Sequence, residues 1–524
     1  MDSLVLILVT LSVIYLIYWY FTKNFNYWES RGVVCRKNQY FFGSIKERAL
    51  LKISFHEFIL KVYKEMKGNK LYGIYEGRMP MLFIQDPELI KLILVKHFDH
   101  FTDRPVFRFG REAFLHKSLV GLKGNEWKKT RDAFTPAFSS SSLKSMVPLF
   151  IACAQNMVQY LKNITKEKGD IKYDIKHLFV NYTIDATIST VFGVNLNSFS
   201  NPNSEFAKKG LQFQDIGILK RVGVNLCLMF GLPGWITSRL PLAVFKRESV
   251  IFFGETLRET RNYRIHNNVR RNDLLQLLLD AETAPVEVID ETDEEIHNAK
   301  SMWSSKRSYN SLDLGEVIDE ETIRAQSLFF FLAGFETSST LLSMACYELA
   351  KNKDIQDKLR QDILNNWNEE DLTYEALSSM TYLDMVLSET LRMYPPVARI
   401  ERFVTKPITL NGLKLEVGTK ITVPTCGLQQ DPEYYPEPMQ FIPERFTPKE
   451  KAKRSPYVYL PFGAGPRGCI GLRYAAISTK ICTSYLLKHF EIDVCEKTPI
   501  PFEFDRQTIL LKPKDGLYLK LTKI

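Results

Sequence analysis

Phe462–Gly471 reads FGAGPRGCIG, and the fold turns on how this loop is understood. It holds one cysteine, Cys469, behind three glycines, a proline and an arginine. An apolar, helix-like run follows directly, CIGLRYAAISTKICTSYLLKHF, which places Cys469 at or just before a helix N-terminus. Free backbone N–H groups and the positive end of the helix dipole favour a thiolate there. Gly465 and Gly468 are expected to let the backbone bend tightly, and Arg467 to face a nearby anion. A thiolate on a loop with a cation beside it is what a thiolate-ligated haem requires, sulfur for the iron and arginine for a propionate. Two plainer readings compete. A lone cysteine is usually a small buried hydrophobe. Gly463, Gly465 and Gly468 also match the dinucleotide fingerprint G-x-G-x-x-G. Too little chain follows Gly468 for a dinucleotide domain, and no alternation of strands and helices precedes it.

The chain has 524 residues, which by length alone suggests two or three domains but also suits one large haem domain. Its 45% hydrophobic content is ample for a core, and a net charge of +9 without a Lys/Arg block argues against nucleic acid. The eight cysteines include no C-x-x-C pair, so zinc has no support and a reducing, cytosol-facing location is expected. Ser3 to Phe21 is charge-free and spans about 28 Å at ~1.5 Å per residue, close to a bilayer core. Asp2 precedes it and no A-x-A site follows, so it reads as an uncleaved anchor. Lys23, Arg31, Arg36 and Lys37 flank its C-terminal side and put the rest of the chain in the cytosol. The expected divisions are a transmembrane anchor at 1–22, a linker and first helical segment at 23–70, and a catalytic domain at 71–524.

Leu71 to Ile84 predicts a hairpin with Gly77 in its turn. Asp86 to Val95 reads as a helix, as does Glu126 to Phe134, where Trp127 and Arg131 lie four apart on one face. Leu143 to Leu279 is nearly all amphipathic helix, interrupted by the apolar, Pro/Gly-broken stretch Met229 to Leu240. Glu282 to Gly315 reads as an exposed loop. Asp319, Glu320 and Glu321 open a helix running to about Asn352, long enough to cross the whole domain. Its middle, AGFETSS, goes against helix preference: Gly334 costs about 1 kcal/mol against alanine, and Thr337 can bond back to the i−4 carbonyl. Such a cluster suggests a functional site, with helix-packing glycine as the alternative. Thr381 to Tyr394 is a helix stopped by Pro395 and Pro396, with Glu389 and Arg392 on one face. Val397 to Pro424 reads as short strands with Asn411-Gly412 as a hairpin turn. Phe502 to Leu521 reads as strand pairs, with the turn at Asp505 to Thr508 either tipping into a pocket or lying on the surface.

The pattern F-x-x-G-x-R-x-C-x-G in the opening loop fixes five residues in ten, and average usage would produce it in roughly one chain in 10⁴. With ETLRMYPPVARIER and PERF upstream, the chain resembles the cytochrome P450 family over nearly its whole length, and most nearly its microsomal, xenobiotic-metabolising branch. The resemblance implies a mainly α fold with a minor β component, a single haem domain behind an N-terminal transmembrane anchor. It implies Cys469 as axial ligand to haem b, with Phe462 opening the ligand loop. Arg467, Arg402, Trp127, Arg131 and, less directly, Arg104 would hold the haem, with Arg399 a further candidate. Thr337 and Glu336, in an opened part of the long helix, would serve proton delivery. Glu389, Arg392 and Arg445 would form a buried network that fixes the cysteine loop. Val397, Ala398 and the Leu328 to Leu332 run would border the substrate pocket, although the latter also reads as ordinary helix core. The stretch around Trp235 would be a second membrane contact or plain core. No proline precedes Pro80, a departure from the hinge usual after the anchor. The implied reaction inserts one oxygen atom from O₂ into an apolar substrate at the endoplasmic reticulum membrane. Electrons would come from NADPH through a flavoprotein reductase, with cytochrome b5 as a second partner. The alternatives are a haem-thiolate isomerase or dehydratase, and a non-catalytic membrane haem protein.

Overall fold

The computed structural model describes residues 2–105, 113–201, 204–213, 217–230, 232, 234–283, 319–367 and 372–524. The expected loop at Glu282 to Gly315 lies almost wholly outside them. The elements that position the site are taken in chain order.

Helix α1 (Asp2–Thr22) carries exposed apolar side chains from Leu4 to Trp19 and is long and apolar enough to cross a membrane. Helix α2 (Phe55–Glu65) starts at a capping box in which Ser54 and Glu57 bond reciprocally to each other's backbone N–H. Within residues 23–70, α2 is the expected helical segment. Trp28 is fully buried against Gly73, where a Cβ would lie 2.5 Å from the indole, and α2 adds Phe58, Ile59 and Val62 to the same core.

Strands β1 (Leu71–Glu76) and β2 (Met79–Ile84) form the expected hairpin, with Leu71 opposite Ile84 and Gly77 at positive φ. Helix α3 (Gly124–Phe134) buries Trp127 and Arg131. Helix α4 (Ser140–Lys168) is capped by Ser139. The sequence reading ran helix through the next stretch, but strand β3 (Ile171–Asp174) interrupts it before helix α5 (Ile175–Thr187). Helix α6 (Ile218–Phe230) precedes the broken stretch.

Helix α7 (Glu320–Lys351) is the predicted long one: 32 residues, opened by Asp319, whose carboxylate accepts from the Thr322 N–H. It is mostly buried and packs along α5, where Thr183 donates to the Phe335 carbonyl at 3.0 Å. Helices α8 (Lys353–Asn366) and α9 (Thr381–Met393) follow.

Strand β4 (Ile400–Phe403), the hairpin β5 (Ile408–Leu410) and β6 (Leu413–Leu415), and β7 (Lys420–Val423) come next. Asn411 and Gly412 both take positive φ, as the two-residue turn demands. Helix α10 (Leu472–His489), β8 (Phe490–Asp493) and β9 (Tyr518–Lys523) close the chain.

The main sheet has the order β1-β2-β7-β4, in which β7 pairs parallel to β2 and antiparallel to β4. All four β7 residues are buried, as expected of a strand paired on both sides. A second sheet orders β3-β9-β8. The predicted strand pairs in Phe502 to Leu521 reduce to one bridge, Phe504 to Pro513, because β9 pairs with β3 and β8 instead. Two apolar clusters result: a large helical one around α4, α5, α7, α9 and α10, and a smaller one on the main sheet. Leu460 and Ala464 belong to the small cluster while Phe462 and Ile470 pack on the large one, so the cysteine loop lies where the two meet.

Candidate active site

A cavity of about 450 Å³ is lined by the cysteine loop, the middle of α7, Trp127 and Arg131 of α3, β4 and Arg104. Cys469 is the one exposed cysteine of the eight, so the lone buried hydrophobe reading fails for it. Its N–H donates to the Phe462 carbonyl at 2.9 Å, which closes the loop on itself. Gly463 and Gly465 take positive φ, whereas Gly468, expected to supply a bend, does not. Gly465 also passes the main chain closely: a Cβ would lie 1.8 Å from the Leu94 carbonyl oxygen. Helix α10 starts only at Leu472, just beyond the cysteine. Pro456 to Val458 ahead of the glycines is a 3-10 turn rather than a strand, which removes the structural context of a dinucleotide fingerprint.

The arginines divide into two kinds. Arg467 is buried, and each of its nitrogens already donates to a carbonyl: Nε to Thr102 at 2.8 Å, Nη1 to Leu119 at 2.8 Å, Nη2 to Leu122 at 2.7 Å. Its guanidinium stacks 4.1 Å from the Trp127 ring. Arg467 lines the cavity and also fastens three main-chain segments together. Arg402 is equally buried, but only Nη1 has a partner, the Glu401 carbonyl at 2.8 Å. Its Nε and Nη2 have no acceptor among the described residues, and neither does the Arg104 Nε. Arg104 donates through Nη2 to the Arg467 carbonyl. Desolvation, then the charges of Arg104 and Arg467, hold Arg402 far below the usual arginine range. Arg467 is pushed down to about 8, first by desolvation and then by Arg104.

A buried cation with unmet donors is costly unless an anion answers it. Two carboxylates entering the cavity would answer this one, so the residues fit the propionate edge of a haem, with Cys469 available to the iron. Arg399 also lines the cavity but is paired with Glu401 at 2.7 Å, with Phe55 beneath it.

On α7, Ala333, Gly334, Thr337 and Ser338 line the cavity. The helix runs unbroken through them, so the expected opening is absent. The Thr337 hydroxyl donates to the Ala333 carbonyl at 2.6 Å, the predicted back-bond. Glu336 does not line the cavity. One residue round the helix, it pairs with Lys176 of α5 at 3.1 Å, and Lys176 also donates to the hydroxyls of Ser339 and Thr340. Lys176 was missed in the sequence; a lysine inside the apolar run IKHLFVNYTI was its only signal. Phe329 and Phe330 line the cavity, whereas Leu328, Phe331 and Leu332 are core. Val397 lines it and Ala398 does not. The Asp505 to Thr508 turn docks instead on Arg48, which donates to the Arg506 and Thr508 carbonyls.

Glu389 and Arg392 form a fully buried two-point pair at 2.7 and 2.9 Å, and Arg445 approaches the same carboxylate at 3.4 Å. The network reaches the cysteine loop through Gln429, which sequence reasoning did not single out. Arg392 donates to the Gln429 carbonyl, and the Gln429 side chain accepts from the Leu460 N–H.

The family profile described as Cytochrome P450 matches residues 35–521. Among curated proteins, the chain is 34% identical to lithocholate 6-beta-hydroxylase of Mesocricetus auratus, covering 99% of this chain and 96% of that protein. It is 33% identical to cytochrome P450 9e2 of Blattella germanica, covering 99% and 98% respectively. It is 34% identical to probable cytochrome P450 6a13 of Drosophila melanogaster, covering 99% of each.

Proposed function

The chain belongs to the cytochrome P450 family, and from that premise we propose that it is a membrane-anchored monooxygenase that inserts one oxygen atom from O₂ into apolar organic molecules. The observation that carries the reading is a single cavity lined by both the exposed Cys469 and the Thr337 hydroxyl. A bound haem would supply the redox chemistry, held through its iron by the Cys469 sulfur. Arg402 and Arg104 would hold the propionates through nitrogens that have no acceptor among the described residues, and Trp127 and Arg131 would close that edge. Arg467, on the same cavity wall, also joins the loop to the segments at Thr102, Leu119 and Leu122.

Thr337, whose Oγ1 proton is directed at the Ala333 carbonyl, and Ser338 are α7 hydroxyl residues on the cavity wall, and Thr337 is the one that passes a proton to oxygen in this reading. Glu336, tied to Lys176, positions that turn of the helix. Phe329, Phe330, Phe138, Val120 and Val397 give the remaining wall an apolar character suited to a lipophilic substrate. Electrons come from NADPH through a flavoprotein reductase, with cytochrome b5 as a second donor. The domain faces the cytosol at the endoplasmic reticulum, held by α1.

The test is Thr337→Ala in a reconstituted system with reductase. NADPH consumption should continue while product falls and hydrogen peroxide rises. Unchanged coupling would remove Thr337 from the mechanism.

A further inference from the structure

A second cavity, of about 250 Å³, opens between α4, the end of α8 and the end of α10, and shares no lining residue with the first. Its wall is formed by Gln155, Gln159 and Lys162 of α4, by Trp367 just past α8, and by Tyr485, Lys488 and His489 of α10. It gathers three groups able to carry positive charge. No carboxylate among the described residues pairs with Lys162, Lys488 or His489. The Lys488 ammonium rests over the Trp367 ring, 3.6 Å from its centroid, which fixes the cation at the pocket wall. Trp367 is itself buried, and its indole Nε1 has no acceptor among the described residues. Desolvation, then the charges of Lys162, Lys488 and Lys523, push His489 down to about 4. Desolvation and Lys162 push Lys488 down as well.

Like charges drawn together beside an unmet buried donor are unfavourable unless something with the opposite sign and spare acceptors joins them. A tetrahedral oxyanion has both properties. It can accept from the indole N–H while neutralising the ammonium groups. The volume leaves room for part of the molecule that carries it. We propose that this pocket binds phosphate, as the free ion, a small phosphate ester or a lipid headgroup, at a site separate from the haem cavity.

The experiment titrates inorganic phosphate into the haem-loaded full chain by calorimetry, at ionic strength held constant with chloride. One saturable site is expected. Lys162→Gln and Lys488→Gln should each weaken it by about tenfold or more, and Lys172→Gln, a surface lysine paired with Glu496, should leave it unchanged. The reduced-CO spectrum should be the same in all of these variants. Should Lys488→Gln fail to fold, the half-buried Lys162 decides the matter.

Competition with dihexanoyl phosphatidic acid separates the sources. Displacement at about tenfold lower concentration assigns a lipid headgroup, and equal or weaker displacement assigns a soluble phosphate. Absence of saturable phosphate binding overturns the proposal. Binding unchanged in Lys162→Gln overturns it equally.

Discussion

Arg402 and Arg467 line one cavity and are equally buried, yet they do different work, because the carbonyls around them differ. Removing Arg467 strips the donor from three carbonyls, that of Leu119 buried and those of Thr102 and Leu122 partly so, and Arg467→Leu should destabilise the fold by about 3 kcal/mol. Removing Arg402 deletes a cation whose cost is met only by a bound anion. Arg402→Leu should therefore keep or raise the melting temperature of the haem-free protein while lowering the haem-to-protein ratio after purification. Arg402→Lys should restore part of that ratio. Equal loss of stability in both variants would contradict the division. The sequence placed both arginines near the cysteine but could not separate them. The deciding acceptors are main-chain atoms of Thr102, Leu119 and Leu122, far away in the chain, and a carbonyl leaves no mark in a residue string. Cys469 itself was legible because glycines at positive φ and a following helix are local properties.

At the scale of elements, caps and turns carried the reading furthest. Asp319 at the start of α7, the prolines after α9 and Asn411-Gly412 between β5 and β6 each act within a few residues, so each could be read directly. What escaped depends on distant partners: β3 is a strand because β9 lies beside it, and Glu336 faces away from the cavity because Lys176 on α5 receives it. The buried network lies between these cases. Its spacing on α9 is local, but its link to the cysteine loop runs through Gln429. Glu389→Gln leaves Arg392 without its counter-charge and should cost about 3–5 kcal/mol in denaturant unfolding. Gln429→Ala leaves the ion pair intact and frees the Leu460 N–H. It should cost about 1–3 kcal/mol while raising haem loss. Haem retention unaffected by Gln429→Ala would mean that the network does not brace the loop by this route.

Over the whole molecule, the helical and sheet-based cores meet at the cysteine loop, and α1 stands outside both with its apolar surface exposed. The apolar helix α1 was legible from hydropathy alone. The stretch around Trp235, open between a second membrane contact and core in the sequence, leaves Trp235 65% exposed, and Leu219 (84%), Val222 (45%) and Leu226 (42%) on α6 add exposed apolar side chains that the sequence did not single out. Deleting residues 1–22 should move part of the protein into the soluble fraction on membrane sedimentation, and adding Leu219→Ser and Trp235→Ser should release the rest. Full retention after the deletion alone would make the α6 region the dominant contact. The glycine loop, the long helix and the arginine edge all acquire their roles from one premise, that the Cys469 sulfur binds haem iron. The most direct measurement of that premise is the spectrum of the reduced carbon monoxide complex of Cys469→Ala. The account predicts that the red-shifted Soret band of the wild type disappears while bound haem remains detectable. Persistence of that band in the variant would contradict it.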